Sequence, residues 1–224
     1  YYESLSLFFY LCIKRKIIVM AKKENISAKN ALLIFIKNPV LGKVKTRLAA
    51  SIGNEKALAI YHRLLEHTRK ETQTLTADKL LFYSENIADD DWSNKTYEKK
   101  MQESGDLGYK MKSAFSQAFE QGYEKVVIIG SDCAELKKQH LENAFAALEK
   151  HDVVLGPAND GGYYLIGFQR LINEVFDNKT WSTANVLSST IKDLERLNKT
   201  YFLLPTLIDV DNYEDLQSID WLKA

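Results

Sequence analysis

Ala31 to Ile36 is an unbroken run of six apolar residues, and a cationic stretch follows it at once: Lys37-Asn38-Pro39-Val40-Leu41-Gly42-Lys43-Val44-Lys45-Thr46-Arg47-Leu48. An apolar run this short, without alternation, reads as a strand covered on both faces, as in a parallel sheet sandwiched between helices. The rest of the chain repeats that theme. Ala57, Ile60, Tyr61, Leu64 and Leu65 form one apolar helix face, with Asn54 suited to its N-cap. Lys79 to Ser84 and Lys99 to Gln102 read as the second and third strands. Met111, Ala114, Phe115, Ala118 and Phe119 form a second helical stripe ending near Gly122.

Lys125 to Ile129 is the next buried strand and runs into Gly130-Ser131-Asp132. A helix over 138–150 and a strand over 152–155 follow. The strand Gly162 to Phe168 comes after Asp160-Gly161-Gly162, a link too short for a parallel crossover. It is therefore antiparallel or enters a separate small sheet. A helix near 184–197, a strand near 201–204 and a last helix after Asp211, carrying Leu216, Ile219 and Trp221, complete the pattern. Strands alternating with helices imply an α/β fold, three layers α/β/α around a mostly parallel mixed sheet. In such sheets ligands bind beyond the carboxyl ends of the strands. The cationic loop, Asp132 and Asp160 all follow strands and are expected on that one rim.

A chain of 224 residues suits one such domain. Lysine and arginine balance aspartate and glutamate at 30 each, so no global field attracts nucleic acid or an anionic membrane, and anion binding must be local. The two cysteines, Cys12 and Cys133, follow no metal or redox spacing and read as reduced thiols in a cytoplasmic protein. The four histidines, His62, His67, His140 and His151, show no ligand spacing. The N-terminus begins with Tyr1, and Leu5 to Ile13 precedes Lys14-Arg15-Lys16, the reverse of a secretory signal. It is also far shorter than the ~20 residues of a spanning helix. Met20 looks like a natural start. Residues 1–30 are read as an extension, non-native or disordered, with 31–224 as the single domain; a reverse-signal membrane anchor is the alternative.

Three places in the chain suit chemistry. Lysine serves phosphate as a point charge and arginine as a fork, so Lys37, Lys43, Lys45 and Arg47 form a candidate phosphate loop. Gly42 lets the backbone pass close to a ligand, Thr46 stands at a helix start, and Ser131 belongs to the opposite strand end. The loop is neither a Walker A motif nor a dinucleotide fingerprint. Asp132 ends an apolar strand, where an acid either ligates a cation or caps a helix. Mg2+ takes one or two carboxylates plus phosphate and water, with Asp211 (or Asp209) as the second carboxylate. Asp160, Gly161, Gly162, Tyr163 and Trp181 are candidates for the acceptor side, against a tight hairpin and a buried core tryptophan as the plainer readings. Cys133 lacks a nearby histidine in sequence, which speaks against covalent catalysis.

From about Ala31 to Leu222 the chain resembles a bacterial family of transferases with the glycosyltransferase-A (nucleotide-diphospho-sugar transferase) fold, first catalogued as a domain of unknown function. The resemblance lies in Lys37-x-Pro39-x-x-Gly42-x-Val44-Lys45-Thr46-Arg47-Leu48, Gly105-Asp106-Leu107-Gly108, Gly130-Ser131-Asp132-Cys133, Gly156-Pro157-Ala158-x-Asp160-Gly161-Gly162-Tyr163-Tyr164 and Asp209-Val210-Asp211. Two positions depart from the family pattern. Ala134 replaces a usual proline, and Tyr109-Lys110-Met111 replaces Glu-Arg-Met. The segment Lys45-Thr46-Arg47-Leu48 also resembles that of 2-phospholactate-type guanylyltransferases, and molybdenum-cofactor guanylyltransferases share the wider fold. The resemblance implies NTP binding, attack on the α-phosphorus and release of pyrophosphate. Lys43, Lys45 and Arg47 would neutralise the phosphates, and Mg2+ (or Mn2+) on Asp132 and Asp211 would bridge them. Lys45, Arg47 and Asp132 are then the catalytic set, and the partners are an NTP or nucleotide-sugar and a small-molecule acceptor. Glycosyl transfer from a nucleotide-sugar is the alternative activity, although glycosyltransferases of this fold usually carry Asp-x-Asp where this chain has Ser131-Asp132-Cys133. A non-catalytic nucleotide-binding homologue is the second alternative.

Overall fold

The computed structural model describes residues 29–223. The expectations for the N-terminal extension, including Met20 and Cys12, fall outside that range, except that Asn30 already opens the first strand. The apolar run forms β1 (Asn30–Ile36), an interior strand, third from one edge of a seven-stranded sheet. It lies parallel to β2 (Asp78–Tyr83) on one side and β4 (Lys125–Ile129) on the other, with Leu33 opposite Leu80 and Ile128. The edge strand β3 (Tyr97–Met101) is parallel to β2. On the far side, β6 (Tyr163–Phe168) inserts antiparallel between β4 and β5 (Val153–Pro157), and β7 (Tyr201–Leu203) lies parallel to β5. The order is β3-β2-β1-β4-β6-β5-β7. The short glycine link thus makes the antiparallel strand of the main sheet, and β5 and β7 run in the same direction as β1. At the β1–β4 junction successive connections leave in opposite directions, which opens a crevice at the strand ends.

Side-chain alternation on β1 sorts the two faces. Leu32, Ile34 and Ile36 join a core with Tyr61 and Leu65 of α2 (Asn54–Thr72) and Leu141 and Phe145 of α4 (Lys138–Ala147). Ala31 and Leu33 join Met111, Phe115 and Ala118 of α3 (Leu107–Glu120) and Leu194 of α5 (Val186–Arg196). A third, smaller core packs α1 (Thr46–Ile52) and α2 against α6 (Tyr213–Ser218) and α7 (Asp220–Lys223) through Leu48, Leu64, Leu216 and Leu222. Val210, fully buried in that cluster, anchors the segment that carries Asp209 and Asp211.

Two local expectations need correction. Asn54 is the first residue of α2 and not its cap. Gly53, at φ 86°, takes the cap position and separates α1 from α2 in a conformation that glycine adopts without a steric penalty. The final helix is two short ones, because Ile219 is extended (φ −112°, ψ 98°). No helix among the described residues is long and apolar enough to cross a membrane.

Leu33 is completely buried between both neighbouring strands. Leu33→Ala is expected to cost about 2–5 kcal/mol through lost burial and the residual cavity, read as a fall in melting temperature of roughly 4–20 °C. At the other end of the sheet, Asp152 accepts hydrogen bonds from the Thr200 hydroxyl (2.7 Å) and the Thr200 amide (2.9 Å), fixing the entry of β5 against that of β7. These bonds, the hydroxyl's first, hold its carboxyl below the ordinary value of 3.8. A depressed folded-state pKa stabilises the protein above the unfolded value, and that contribution is lost as pH falls through the folded one. Urea midpoints measured below about pH 4 should therefore decline less steeply in Asp152→Asn than in the parent.

Candidate active site

The loop after β1 ends in a strained residue. Lys45 sits at φ 49°, ψ 43°, the left-handed region that costs a non-glycine residue about 1–2 kcal/mol, while its carbonyl accepts the Ala49 amide (2.7 Å) that starts α1. The turn drives its side chain inward, where only 4% remains exposed. The ammonium lies 3.0 Å from Asp132 Oδ2, at the end of β4, and donates to Asp211 Oδ1 at 3.2 Å. Burial alone would lower the lysine pKa, but the two carboxylates outweigh it and the net direction is upward. The ammonium therefore stays charged. Arg47, largely exposed, places Nη1 3.8 Å from the other oxygen of Asp211.

These residues line a crevice of about 510 Å3 at the strand-order reversal, together with Lys37, Thr46, Ser131, Asp160, Gly162, Tyr163 and Trp181. Most of the expected site residues are thereby brought together on one rim. Three are not. Lys43 points away to Glu85 (3.3 Å), and neither it nor Gly42 lines the crevice. Gly161, at φ 87°, meets the protein instead of a ligand: a Cβ there would lie 2.2 Å from the Ala184 carbonyl oxygen. Its own carbonyl accepts the Leu187 amide at 3.0 Å, so this glycine seats the segment leading into α5. A larger opening, about 930 Å3 between α2, α4 and the C-terminal helices, contains none of the expected residues.

The wall expected to face the acceptor is built by close packing. Trp181 lies flat against Gly108, where a Cβ would meet the indole nitrogen at 2.4 Å, and its ring stacks with Phe176. It therefore lines the crevice and packs against the core at once. Asp160 Oδ1 accepts the Gly162 amide at 2.8 Å, which closes the turn and leaves the carboxylate exposed on the rim. The hydroxyl of Tyr163 is buried and has no partner among the described residues. Of the two departures from the family pattern, Ala134 keeps the turn through its amide to Ile208 O (3.3 Å), and Lys110 does not line the crevice.

Three contributors were not singled out from the sequence as site residues in their own right. The Tyr61 hydroxyl accepts the Lys37 amide (2.9 Å) and lies 3.0 Å from Lys37 O and 3.2 Å from Ser131 Oγ, joining the ends of β1 and β4 across the crevice. Burial, followed by the charge of Asp132, pushes its phenol upward, so it remains a neutral hydrogen-bonding group. Its position on an apolar helix face gave no signal beyond core packing. Gln102 donates to Ile36 O (3.0 Å) and Phe82 O (3.1 Å), sealing two strand-end carbonyls beside the crevice. Asp209, read only as a substitute for Asp211, turns one carboxylate oxygen away from solvent. Burial, then the charge of Asp132, pushes its carboxyl up to about 8, and its Oδ1 has no partner among the described residues. The buried Cys133 thiol is likewise pushed upward, chiefly by burial, which suppresses the thiolate a nucleophile would need.

A family model described as an uncharacterized protein conserved in bacteria (DUF2064) matches residues 67–183, just over half of the chain. The chain belongs to the DUF2064 family. That match includes Asp132, Asp160 and Trp181 but stops short of Lys45 and Asp211. A solved structure from Desulfovibrio desulfuricans G20, described as a nucleotide-diphospho-sugar transferase, is 36% identical, with a TM-score of 0.78 and 84% of each chain covered. The 2-phospho-L-lactate guanylyltransferase of Methanocaldococcus vulcanius is 23% identical over 199 residues, 84% of each. Rv0371c of Mycobacterium tuberculosis, solved in complex with manganese, shares the fold at 11% identity and a TM-score of 0.50, over 86% of this chain and 98% of its own. The DUF2064 chain is a transferase with the nucleotide-diphospho-sugar transferase fold.

Tyr61→Phe tests the clamp across the crevice. The Lys37 amide would lose its partner, and a loss of about 1–3 kcal/mol is expected from urea unfolding. A change below about 0.5 kcal/mol would mean that the hydroxyl does not hold the two strand ends together.

Proposed function

We propose that this chain transfers a nucleotidyl group from a nucleoside triphosphate to a small phosphorylated or hydroxylated acceptor in the cytoplasm, with Mg2+ or Mn2+ as cofactor. The observation that carries this reading is the buried, charge-paired Lys45 at the mouth of the strand-end crevice, with Arg47 and Lys37 on the same rim. Three cations around one opening suit a triphosphate chain. The M. vulcanius guanylyltransferase, which resembles this chain over most of its length, supports the same chemistry.

The donor set fits a hard divalent cation. Asp132 and Asp211 offer carboxylate oxygen on partly exposed side chains, and no soft ligand stands among the residues lining the crevice. Among the described residues no three histidines, cysteines or acids gather tightly enough to hold an ion alone. That matches the habit of Mg2+, which completes its shell with substrate phosphate and water. Asp132 and Asp211 would hold the ion, with the unpartnered Asp209 oxygen two residues before Asp211 in the chain. When bound, the ion would neutralise charge on the phosphates and on the departing pyrophosphate.

The chain's own residues divide the remaining work. Lys45 and Arg47 offset charge that builds on the phosphate oxygens as the acceptor oxygen bonds to the α-phosphorus and the bond to the β-phosphate bridging oxygen breaks. Thr46 and Ser131 contribute hydroxyls on the same rim. Asp160 is placed to accept from a hydroxyl of the acceptor, and Gly162, Tyr163 and Trp181 wall that side. Glycosyl transfer from a nucleotide-sugar is the second reading, favoured by the description of the D. desulfuricans relative.

A thermal-shift panel with Mg2+ separates the two. Ligand at ~100 times its dissociation constant adds about 2.7 kcal/mol, a rise of roughly 5–10 °C at this chain length. One NTP is expected to give that rise. A rise with UDP- or GDP-sugars alone would turn the reading to glycosyl transfer. Asp132→Ala should abolish the metal-dependent part, and Lys45→Ala with Arg47→Ala should weaken nucleotide binding by about 1.5–3 kcal/mol per contact. Unchanged nucleotide affinity in that double variant would overturn the phosphate assignment.

A further inference from the structure

Lys45 already occupies one oxygen of each carboxylate that would hold a divalent cation. Its ammonium lies 3.0 Å from Asp132 Oδ2 and 3.2 Å from Asp211 Oδ1, on a side chain that is almost completely enclosed. Arg47 stands 3.8 Å from the remaining oxygen of Asp211. One lysine thus bridges two carboxylates from segments 79 residues apart in the chain (211 − 132), and it is held there by a left-handed backbone at φ 49°. Such strain in a side chain that could relax into solvent needs a compensating contact, and the two carboxylates supply it.

We infer that Lys45 is an internal counter-ion that must change partners for the site to load: it leaves Asp132 and Asp211 when the divalent cation arrives and passes to the phosphates of the nucleotide. The inference rests on the metal assignment proposed above. Two cations cannot share the same carboxylate oxygens at full strength, so Lys45 weakens metal binding while no phosphate is present. A polyphosphate gives the displaced ammonium a new anionic partner and brings oxygen ligands for the ion. Metal and phosphate therefore bind cooperatively, and the coupling is reciprocal, each raising the affinity of the other by the same factor. Lys45 acts here as a positioning residue that ties two binding events together. Free cation alone then does not lock the crevice, and free nucleotide alone does not fill it.

The test uses Mn2+ and inorganic tripolyphosphate as probes, with free Mn2+ read by its paramagnetic resonance signal and corrected for the Mn2+–tripolyphosphate complex. Full-length parent protein should bind Mn2+ weakly alone and about tenfold more tightly with tripolyphosphate, within the usual range of coupling between sites. Lys45→Met should bind Mn2+ alone about tenfold more tightly than the parent, and tripolyphosphate should then add less than about twofold. Lys45→Arg, which keeps the charge, should retain weak binding of Mn2+ alone. If a folded Lys45→Met binds Mn2+ no more tightly than the parent, Lys45 is a structural clamp and the exchange is wrong. Asp132→Asn distinguishes the underlying assignment: if it leaves Mn2+ binding unchanged, the metal reading itself fails. A second measurement needs no variant. Amine-selective labelling of the parent, read by mass spectrometry, should show Lys45 protected alone, several-fold more reactive with saturating Mn2+, and protected again when tripolyphosphate is added. Unchanged reactivity of Lys45 with Mn2+ bound would overturn the exchange.

Discussion

The ion triad of buried Lys45 with the partly exposed Asp132 and Asp211 is the interaction on which the site depends. An isolated ammonium in so enclosed a position would shed its proton or draw in water, since desolvation favours the neutral form. The carboxylates remove that option, and in doing so they tie the charged ends of three segments together. One is the loop after β1, one is the end of β4, and one lies between β7 and α6. Removing the lysine leaves two carboxylates facing each other without a counter-charge, which makes that member of the triad costly to disturb. Its architecture explains why the sheet order matters. Asp132 is beside the loop because β4 is the neighbour of β1, and Asp211 arrives because its segment bonds to the end of β4, with the Val210 amide donating to Asp132 O at 3.0 Å, while Val210 and the C-terminal helices pack on α1 and α2.

The opposite wall of the crevice follows a different rule. There, small residues let large ones come close. Gly108 receives the Trp181 ring, and Gly161 receives the Ala184 backbone. These contacts need no charge, and they fix the segment 181–187 against α3 and the β5–β6 turn. The crevice therefore has one side set by electrostatics and one side set by shape. A ligand with a polyanionic end and a flatter, less charged end is complementary to both walls at once.

Much of this was legible in the sequence, and what escaped has physical reasons. The apolar runs that became β1, β4 and β5 carry no polar residue in their interiors, so only a doubly covered parallel sheet could bury them. The three-residue Asp160-Gly161-Gly162 link excluded a parallel crossover, and β6 is antiparallel between β4 and β5. Lys45, Asp132 and Asp211 were each named, but their mutual contact was not, because a pairing across 166 residues leaves no periodic trace. Lys43 sits two residues before Lys45 in an alternating cationic run, yet the turn sends it to Glu85. Alternation of charge marks a loop as basic without saying which cations face inward. Tyr61 was counted with the apolar face it shares with Leu64 and Leu65, since a hydroxyl at the end of a buried ring does not disturb hydrophobic spacing. Gly161 was read as room for a substrate, whereas the space it leaves is filled by the protein's own backbone.

The balance of charge in the crevice bears on which ligand it can hold. The chain as a whole carries no net formal charge, so attraction of an anion depends on the few groups within about one Debye length, roughly 8–10 Å. Those groups do not form a simple basic patch. Lys37, Lys45 and Arg47 are opposed by Asp132, Asp211 and Asp160, with Asp209 beneath, the last held toward its neutral form by burial. A triphosphate entering alone would meet nearly as much negative as positive charge. On the proposed assignment, a divalent cation on the carboxylates would reverse that balance and free the lysine for phosphate oxygen. The site would then favour polyanion and cation together over either alone. That selectivity would come from the buried placement of a single ammonium, a property that residue counting cannot distinguish from an ordinary basic loop.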